Sequence, residues 1–235
     1  YSLSSFTVIS IDNDGLATTL GAAGGVVTVT ATSGSVTATA TVTANYKFTG
    51  ADPGTAGSGV PTGASDIVSG APMDPTRAPQ LVYPNDGVLF PPNIAGVEVH
   101  FQPGANNTLF EVTFTGALAT VKSYIRCVAP TGITGCIYQP DAALWNSVSA
   151  TNAGQGTVTL VVRGTDDNGG SVGASQTFHM QFAKDPVMGA LYYWNTSGKT
   201  AIMRWDFGST TQTAPTAYLT PTNTDGTTCV GCHAL

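Results

Sequence analysis

Short stretches in which apolar residues alternate with threonine, serine or alanine recur along the chain. Alternation with a period of two places alternate side chains on opposite faces of a β-strand. Between these stretches lie clusters of glycine, asparagine and aspartate, which are typical of tight turns. The pattern predicts strands at residues 6–11, 26–32, 35–44, 80–83, 88–90, 97–101, 109–114, 121–128, 135–138, 157–165, 175–182, 191–194 and 201–208.

Loops and turns divide these strands into groups. The stretches 121–128 and 135–138 flank a short loop that contains Pro130, and they are predicted to form a hairpin. Residues 49–78 are rich in Gly, Pro, Ala and Ser and show no periodicity, which predicts a linker with a short strand at Ile67–Val68. Many short strands separated by turns predict an all-β fold.

Three motifs near the start of the chain resemble the C-terminal half of a bacterial Ig-like domain of the group 2 type. They are the Asp-Asn-Asp-Gly-Leu turn at Asp12–Leu16, the strand Gly25–Thr32 and the closing strand Ala38–Thr43. The earlier strands of such a domain are absent here, and unpaired strand edges favour association. The resemblance implies either a fragment of a longer precursor or strands supplied by another subunit, which would build a head-to-tail filament.

A second module is predicted further along the chain. The hairpin Thr157–Phe182 resembles the last strands of Ig-like and fibronectin-like modules, which implies an Ig-like β-sandwich. The predicted fold is all-β, with Ig-like β-sandwich modules and an extended C-terminal tail. The predicted segments are a partial Ig-like domain at 1–48, the linker at 49–78, the Ig-like β-sandwich at 79–185, and an aromatic hairpin and tail at 186–235.

Composition narrows the classes of function. Only 9% of the 235 residues are charged, and 8 basic against 14 acidic residues leave a net charge of −6. Nucleic-acid binding requires clustered Lys and Arg, so this balance argues against it. No apolar run approaches the roughly 20 residues of a membrane-spanning helix, and no basic-plus-apolar leader is recognisable. Low charge with abundant Thr, Ser and Gly is common in secreted modules, and paired cysteines would agree with an oxidising compartment. Together with the resemblance to a bacterial Ig-like domain, this predicts an exported protein, extracellular or on the cell surface.

The last seven residues contain the most informative motif, Cys229-Val230-Gly231-Cys232-His233. Two cysteines three positions apart, followed by histidine, resemble the haem-attachment site of c-type cytochromes. The resemblance implies that Cys229 and Cys232 bind the two vinyl groups of one haem c, with His233 as the proximal ligand of its iron. The alternatives are a local disulfide or a fragment of a zinc site beside an incidental histidine.

The segment before this motif has a resemblance of its own. From about Ala190 to Leu235 it is similar to exported bacterial surface proteins in which a larger propeller-like domain follows, which implies that the gene continues past Leu235. Its aromatic residues are predicted either to form an apolar wall for the porphyrin or to pack as an ordinary hairpin. They are Tyr192, Tyr193, Trp194 and Trp205.

A six-coordinate haem needs a second axial ligand beside His233. The available side chains are His100, His179, Met73, Met180, Met188 and Met203. Histidine gives a lower reduction potential and methionine a higher one. We favour a histidine, His179 or His100, from the same chain or a neighbour. The plainer interpretation of either is an exposed histidine or one satisfied by its neighbours.

The other two cysteines are expected to pair. Eight residues separate Cys127 from Cys136, and a hairpin loop of that size brings its ends close together. In an exported protein this spacing predicts a disulfide. A single zinc site formed by all four cysteines is the alternative, which the loop geometry disfavours.

The sequence contains little evidence for a calcium site or for a catalytic site. The acidic turns Asp12–Gly15 and Asp166–Gly169 offer oxygen ligands for calcium, but neither has the full EF-hand pattern and turn formation explains both. The chain has no H-E-x-x-H and no Gly-rich phosphate loop, so we do not expect an enzyme.

These features predict an exported monohaem c-type cytochrome that carries electrons on an Ig-like scaffold. One haem per chain is expected, with self-association into a homo-oligomer or a filament and an unidentified redox partner. The competing hypothesis is a structural or adhesive surface protein, in which Cys229 and Cys232 form a disulfide and no haem is bound.

Overall fold

The computed structural model describes residues 1–235 except 128, 130, 133, 197–199, 210, 211, 213, 224–229 and 231–235. Strands account for 45% of the described residues and helices for 13%, which confirms the prediction of a mostly β protein. The contacts divide the chain into two compact units, Tyr1–Asp185 and Pro186–Leu235.

The first unit begins with a three-stranded sheet and a small hairpin. Its strands are β1 (Ser2–Leu3), β2 (Ile9–Ile11), β3 (Ala17–Thr19), β4 (Gly25–Ser33) and β5 (Val36–Ala44). The sheet has the order β1-β4-β5, and β2 pairs with β3. Because side chains alternate along β4, Val27 and Val29 are buried while Val26 is exposed. The turn between β4 and β5 lies at Gly34, whose φ of 58° favours glycine.

A seven-stranded sheet and a second three-stranded sheet form the rest of this unit. Their strands are β6 (Tyr46–Ala51), β7 (Gln80–Tyr83), β8 (Val88–Phe90), β9 (Val99–Gln102), β10 (Leu109–Thr115), β11 (Ala119–Arg126), β12 (Cys136–Tyr138), β13 (Thr157–Thr165), β14 (Gly173–Ala174) and β15 (Phe178–Phe182). The larger sheet has the order β6-β11-β10-β13-β15-β8, with β14 paired to β13, and the smaller has the order β12-β9-β7. β6 pairs with β11, and β8 with β15, in parallel.

The two sheets share one core. The ring centroids of Phe101 in β9 and Phe110 in β10 lie 5.1 Å apart, and both rings are fully buried. Val112 and Leu160 belong to the same buried cluster. Each aromatic ring of this kind removes roughly 150–250 Å² from water, so this contact is a main source of stability.

The segment after β6 contains a helix where the pattern predicts a short strand. The strand at Ile67–Val68 is a wrong prediction, because both residues lie in α1 (Ala64–Gly70). Val68 is fully buried in a small cluster that includes Leu109 and Val172. Two adjacent β-branched residues favour a strand locally, but burial of one helix face against the large sheet decides the outcome.

A longer helix, α2 (Ala142–Asn152), was also not predicted. Its N-terminus is capped by Asp141, whose Oδ1 accepts hydrogen bonds from two backbone N–H groups of the first turn at 2.9 and 3.3 Å. The helix buries Trp145, whose indole N–H donates to the Ile94 carbonyl at 2.8 Å. Three rings surround this indole at centroid distances of 5.5 to 6.0 Å, those of Phe90, Phe114 and Phe182.

The predicted hairpin of residues 121–128 and 135–138 is wrong. β11 pairs with β10 and β6, whereas β12 pairs with β9 in the other sheet. The intervening loop therefore passes from one sheet to the other. The predicted disulfide between Cys127 and Cys136 is present, with a Cα–Cα separation of 5.3 Å, and it links the end of β11 to the start of β12.

A buried carboxylate anchors the start of the predicted linker. Asp52 is 4% exposed and accepts hydrogen bonds from the Tyr138 hydroxyl at 2.7 Å and from the Gly54 N–H at 2.8 Å. The Asp141 N–H donates to the same carboxylate at 3.2 Å. Because these bonds replace the lost water, the charge can lie beside the core, and they join β12, α2 and the chain after β6.

Alkaline pH is expected to destabilise the first unit through Tyr124. Burial raises the pKa of this 2% exposed tyrosine to about 12, and its hydrogen bond to Glu111 at 2.8 Å also favours the protonated form. A raised folded-state pKa means that the stabilisation is complete below pH 10 and is lost as the pH rises to about 12. We expect a loss of roughly 2–3 kcal/mol in the free energy of unfolding from this residue over that interval.

Urea denaturation at several alkaline pH values measures this loss. Tyr124→Phe removes the titrating hydroxyl, so its stability is expected to fall less steeply above pH 10. Tyr193→Phe, at a 41% exposed position of the second unit, is the control and should follow the wild type. Equal slopes for Tyr124→Phe and the wild type would contradict the prediction.

The second unit contains one sheet of three antiparallel strands. They are β16 (Ala190–Asn195), β17 (Ala201–Asp206) and β18 (Thr216–Leu219), in the order β16-β17-β18. The aromatic hairpin is confirmed as β16 and β17, whereas β18 lies in a Thr/Pro-rich segment for which no strand was predicted. No helix in the described part of the chain has the length and hydropathy needed to cross a membrane.

Candidate functional site

The predicted haem-attachment residues Cys229, Cys232 and His233 lie outside the described residues. Val230, the residue after the first cysteine, is described and is 1% exposed. Its backbone N–H donates a hydrogen bond to the Thr200 hydroxyl oxygen at 3.0 Å. Thr200 directly precedes β17, so Val230 is held beside the three-stranded sheet.

Strand pairing determines which side chains of this sheet share a face. Directly opposed residues in antiparallel strands project to the same side. Asn195 pairs with Ala201, Tyr193 pairs with Met203, and Ala217 lies opposite Met203 from the other side. We call this side the cavity face.

A cavity of about 560 Å³ opens at this face. Its lining comes from all three strands and from the segments that follow Asn195 and β18. The lining residues are Asn195, Thr200, Ala201, Met203, Ala217, Thr220, Pro221 and Thr222. Thr200 thus belongs to the cavity wall and also binds Val230, so Val230 lies next to the cavity wall.

The opposite face of the sheet is packed differently. The rings of Tyr192 and Tyr218 meet edge-on at a centroid distance of 4.9 Å, and the Arg204 guanidinium lies 5.8 Å from the Tyr192 centroid. A hydrogen bond from Arg204 to Asp206 at 2.7 Å raises the pKa of this guanidinium and pairs its charge. Tyr192 therefore takes part in hairpin packing, one of the two roles considered for the aromatic residues.

The remaining aromatic residues of the hairpin are partly exposed. Tyr193 is 41% and Trp194 is 44% exposed, and Trp205 is half-buried opposite Leu191. Tyr193 projects to the cavity face together with its partner Met203. Trp205 lies two residues after Met203 and projects to the same face, and neither aromatic residue is among those that line the cavity.

Both candidate histidine ligands lie in the first unit. The His100 Nε2 is 2.7 Å from the Glu98 carboxylate, and the ring is 5.2 Å from that of Tyr83 beside a cleft of about 250 Å³. The His179 Nδ1 is 2.9 Å from Asp86, which also accepts the backbone N–H of His179 at 2.6 Å. Hydrogen bonds from that backbone N–H and then from the His179 ring lower the pKa of Asp86.

The four methionines occupy different environments. Met73 and Met188 are 62% and 82% exposed, and Met180 is 1% exposed in the main core of the first unit. Met203 is half-buried and lines the cavity. The sequence gives no reason to prefer one of these four methionines as a haem ligand. The pairing of β16, β17 and β18 is what places Met203 at the cavity.

Three carboxylates of the acidic turns, those of Asp12, Asp166 and Asp167, bind other groups of the protein. Asp12 accepts hydrogen bonds from the Asp14 and Leu16 N–H groups at 3.0 and 2.8 Å. Asp166 pairs with Arg77 at 2.9 Å, and Asp167 pairs with Arg126 at 2.6 Å. Hydrogen bonds from these arginines lower the pKa of both aspartates. Within the described residues no group of three or more His, Cys, Asp or Glu side chains is arranged to hold a metal ion.

The Cys127–Cys136 disulfide bears on the alternative that all four cysteines form one zinc site. Because Cys127 and Cys136 are bonded to each other, they are not available as thiolate ligands. A zinc site formed by all four cysteines is therefore excluded in this state of the protein.

Comparisons with protein families, with characterised proteins and with solved structures found no match to this chain.

Proposed function

We propose that this protein is an exported monohaem c-type cytochrome that carries electrons. Cys229 and Cys232 would form the two thioether bonds to haem c, and His233 would be the proximal ligand. The observation that supports this most directly is the hydrogen bond between Val230, which lies between the two cysteines in the sequence, and Thr200 in the wall of a 560 Å³ cavity. A haem-attachment motif requires such a neighbour, because the porphyrin must be shielded from water.

The size of the cavity and its partly apolar lining are compatible with a large cofactor. Its volume falls within the roughly 300–1,000 Å³ that is usual for ligand sites. Ala201, Met203, Ala217 and Pro221 contribute apolar surface, and threonine hydroxyls lie among them. When bound, the haem iron supplies one-electron redox chemistry. The lining residues would orient the ring and exclude water, which helps to determine the potential.

The scaffold that we propose consists of Ig-like β-sandwich modules outside the cytoplasm. Two sheets that share a core support a sandwich in residues 79–185. The Cys127–Cys136 disulfide is compatible with an oxidising compartment and so with export. We propose an extracellular or cell-surface location on these grounds.

Self-association by strand addition is part of the proposal. β5 is an edge strand of nine residues, most of them exposed, and its outer edge has no partner among the described residues. Such an edge can pair with a strand of another copy and extend the sheet. Sedimentation at micromolar concentration tests this, and a folded monomer as the only species would contradict it.

Absorption spectroscopy and intact mass of the purified protein test the haem proposal. We expect a sharp Soret band, an α band on reduction, and a denatured chain heavier than the polypeptide by one haem. Covalent bonds survive denaturation, so the two results must agree. A chain with only its polypeptide mass and no Soret band, after expression with a cytochrome c maturation system, would overturn the proposal.

That negative result would favour a structural or adhesive surface protein with a Cys229–Cys232 disulfide. The feature that supports this second candidate is the exposed aromatic strand β16, in which Leu191, Tyr193 and Trp194 are each at least 41% exposed. Aromatic residues are enriched at protein interfaces. Free-thiol titration of the denatured chain distinguishes the two candidates, because only the second predicts that reduction releases the thiols of Cys229 and Cys232.

A further inference from the structure

We infer that two copies of this protein pair through β5 in an antiparallel, two-fold symmetric contact centred on Ala40. The inference rests on the self-association in the proposed function and deepens it, because it names the partner strand and the register. A contact of this symmetry uses the same surface on both copies and closes at a dimer, whereas the sequence alone leaves a head-to-tail filament open.

Hydrogen bonds in the first sheet show which backbone groups of β5 point outward. The Ser4 N–H donates to the Thr28 carbonyl at 3.0 Å, so the backbone groups of Thr28 are directed at β1 and away from β5. Residues opposite each other in antiparallel strands alternate between hydrogen-bonded and non-hydrogen-bonded pairs. Thr41 lies opposite Thr28 and therefore directs its N–H and C=O groups to the outer edge. Every second residue of β5 shares this direction, and these residues are Thr37, Thr39, Thr41 and Thr43.

The residue pattern of β5 is symmetric about Ala40. Threonines lie one and three residues to either side of it, and alanine or valine lies two and four residues to either side. A second copy of the strand, antiparallel and centred on the same residue, therefore places threonine opposite threonine on one face. On the other face it places alanine or valine opposite alanine or valine.

This register pairs all the outward backbone groups. Thr37 lies opposite Thr43 of the second copy, and Thr39 lies opposite Thr41 of the second copy. Each copy donates four N–H groups, one from each of these threonines, so two copies form eight interchain hydrogen bonds. A shift by two residues leaves a terminal threonine of each copy opposite a residue outside β5, which is why the central register has the most bonds.

The edge of β5 lacks the features that normally prevent strand pairing. Such edges are usually short, or they carry charged residues or proline. β5 has nine residues, lies at the end of the order β1-β4-β5, and has no described strand on its outer side. By contrast, β8 and β12 have three residues each, β7 is followed by Pro84, and β6 carries Lys47.

Charge also favours a second copy at this place. The chain has a net charge of −6, so two copies repel each other over much of their surfaces. Residues 15–46, which include β4 and β5, contain no Asp, Glu, Lys, Arg or His. Two copies can therefore approach through this region without bringing like charges together.

The apolar face of β5 is incompletely covered in a single chain. Two clefts of about 310 and 270 Å³ open there, and Tyr1, Ala31 and Ala38 line both of them. Val36 is 71% exposed on the same face. In the paired arrangement the apolar row of β5 continues into that of the second copy, so part of this surface leaves water.

Sedimentation of the full chain from roughly 1 to 100 μM tests the contact, because small interfaces dissociate in this range. We expect a reversible equilibrium between monomer and dimer, with no larger species. Thr39→Lys/Thr41→Lys places like charges opposite each other in both central pairs, and it should weaken dimerisation roughly tenfold or more.

The matched control is Thr28→Lys/Thr32→Lys. It adds the same two charges to exposed positions on the same face, but in β4, one strand away from the edge. This variant should dimerise like the wild type, because its charges lie roughly 14 Å from their counterparts across the contact and are screened. Circular dichroism first establishes that each variant is folded.

A charge-reversed variant separates loss of the contact from loss of the fold. Thr39→Glu/Thr41→Glu should be monomeric by itself, for the same reason as the lysine variant. A mixture of the two variants should form a heterodimer, because each central pair then joins opposite charges. Misfolded chains would not recover pairing in this way.

Cross-linking tests the register. Ala40→Cys should form an interchain disulfide under mild oxidation, since the Cα atoms of the central non-hydrogen-bonded pair are expected to lie about 4.5 Å apart. Ala38→Cys is the control, because its two copies would be roughly 14 Å apart and too distant to bond. The wild type, oxidised in parallel, gives the background from the native cysteines.

Three results would overturn the inference, and each has a different consequence. A wild type that is monomeric at every concentration contradicts both this contact and the self-association in the proposed function. A dimer that Thr39→Lys/Thr41→Lys leaves unchanged shows that another surface associates. Species larger than a dimer that these charges abolish would show head-to-tail use of β5, which rejects the two-fold register but retains strand addition. All of these readouts are independent of haem.

Discussion

The double variant Cys229→Ala/Cys232→Ala is expected to lose covalent haem completely. Each cysteine would form one thioether bond, and with both removed no bond remains that survives denaturation. The intact mass should fall to that of the polypeptide, and acidified solvent should extract any residual pigment. Each single variant retains one thioether and is expected to keep part of the haem.

The second cysteine pair provides a matched control. Cys127→Ala/Cys136→Ala also removes two cysteines, but these form the disulfide between β11 and β12 in the first unit. We expect this variant to retain haem in full while its first unit becomes less stable. If both double variants lost haem equally, the effect would be one of folding or export, and the assignment of Cys229 and Cys232 would fail.

Replacing Trp145 by alanine is expected to destabilise the first unit by about 3–5 kcal/mol. The indole is 3% exposed, lies among three phenylalanine rings and donates a hydrogen bond to the Ile94 carbonyl at 2.8 Å. Its removal leaves a large cavity and a carbonyl group without its donor. Such a loss is a substantial part of the roughly 5–15 kcal/mol that stabilises a typical domain.

Urea denaturation followed by far-ultraviolet circular dichroism measures this effect. Trp194→Ala is the control, since Trp194 is 44% exposed on β16 in the second unit and its loss should change the first transition little. A change below about 1 kcal/mol for Trp145→Ala would show that α2 is not part of the cooperative core.

Strand positions could be predicted from the sequence because a period of two is a local property. Val27 and Val29 alternate with exposed positions in β4, and the Ser33-Gly34 turn connects β4 to β5 as expected. Helix α2 could not be predicted in this way, since it is buried on most sides and shows no clear polar face. The buried side chains of Ser147, Ser149 and Asn152 donate hydrogen bonds within the helix, as in the bond from the Ser147 hydroxyl to the Ala143 carbonyl at 2.9 Å.

Pairing between distant strands was the main feature that the sequence left open. β11 and β12 are close in sequence and joined by a disulfide, yet they belong to different sheets. The choice of partner depends on core residues such as Phe101 and Phe110, which are brought together only by the whole fold. β18 could not be predicted for the same reason. Its four residues belong to a Thr/Pro-rich segment and form a strand only because they pair with β17.

The sequence alone determined the mostly β fold, the Cys127–Cys136 pairing and the C-x-x-C-H motif, because each depends on residue type and short spacing. The tertiary structure decided which side chains lie near Val230, the one residue of that motif that the structure describes. Met203 and Met188 are equivalent in the sequence, but the pairing of β16, β17 and β18 places only Met203 at the cavity beside Thr200 and Val230. The physical reason is that the face of a strand residue is set by its register, and register is a property of the assembled sheet.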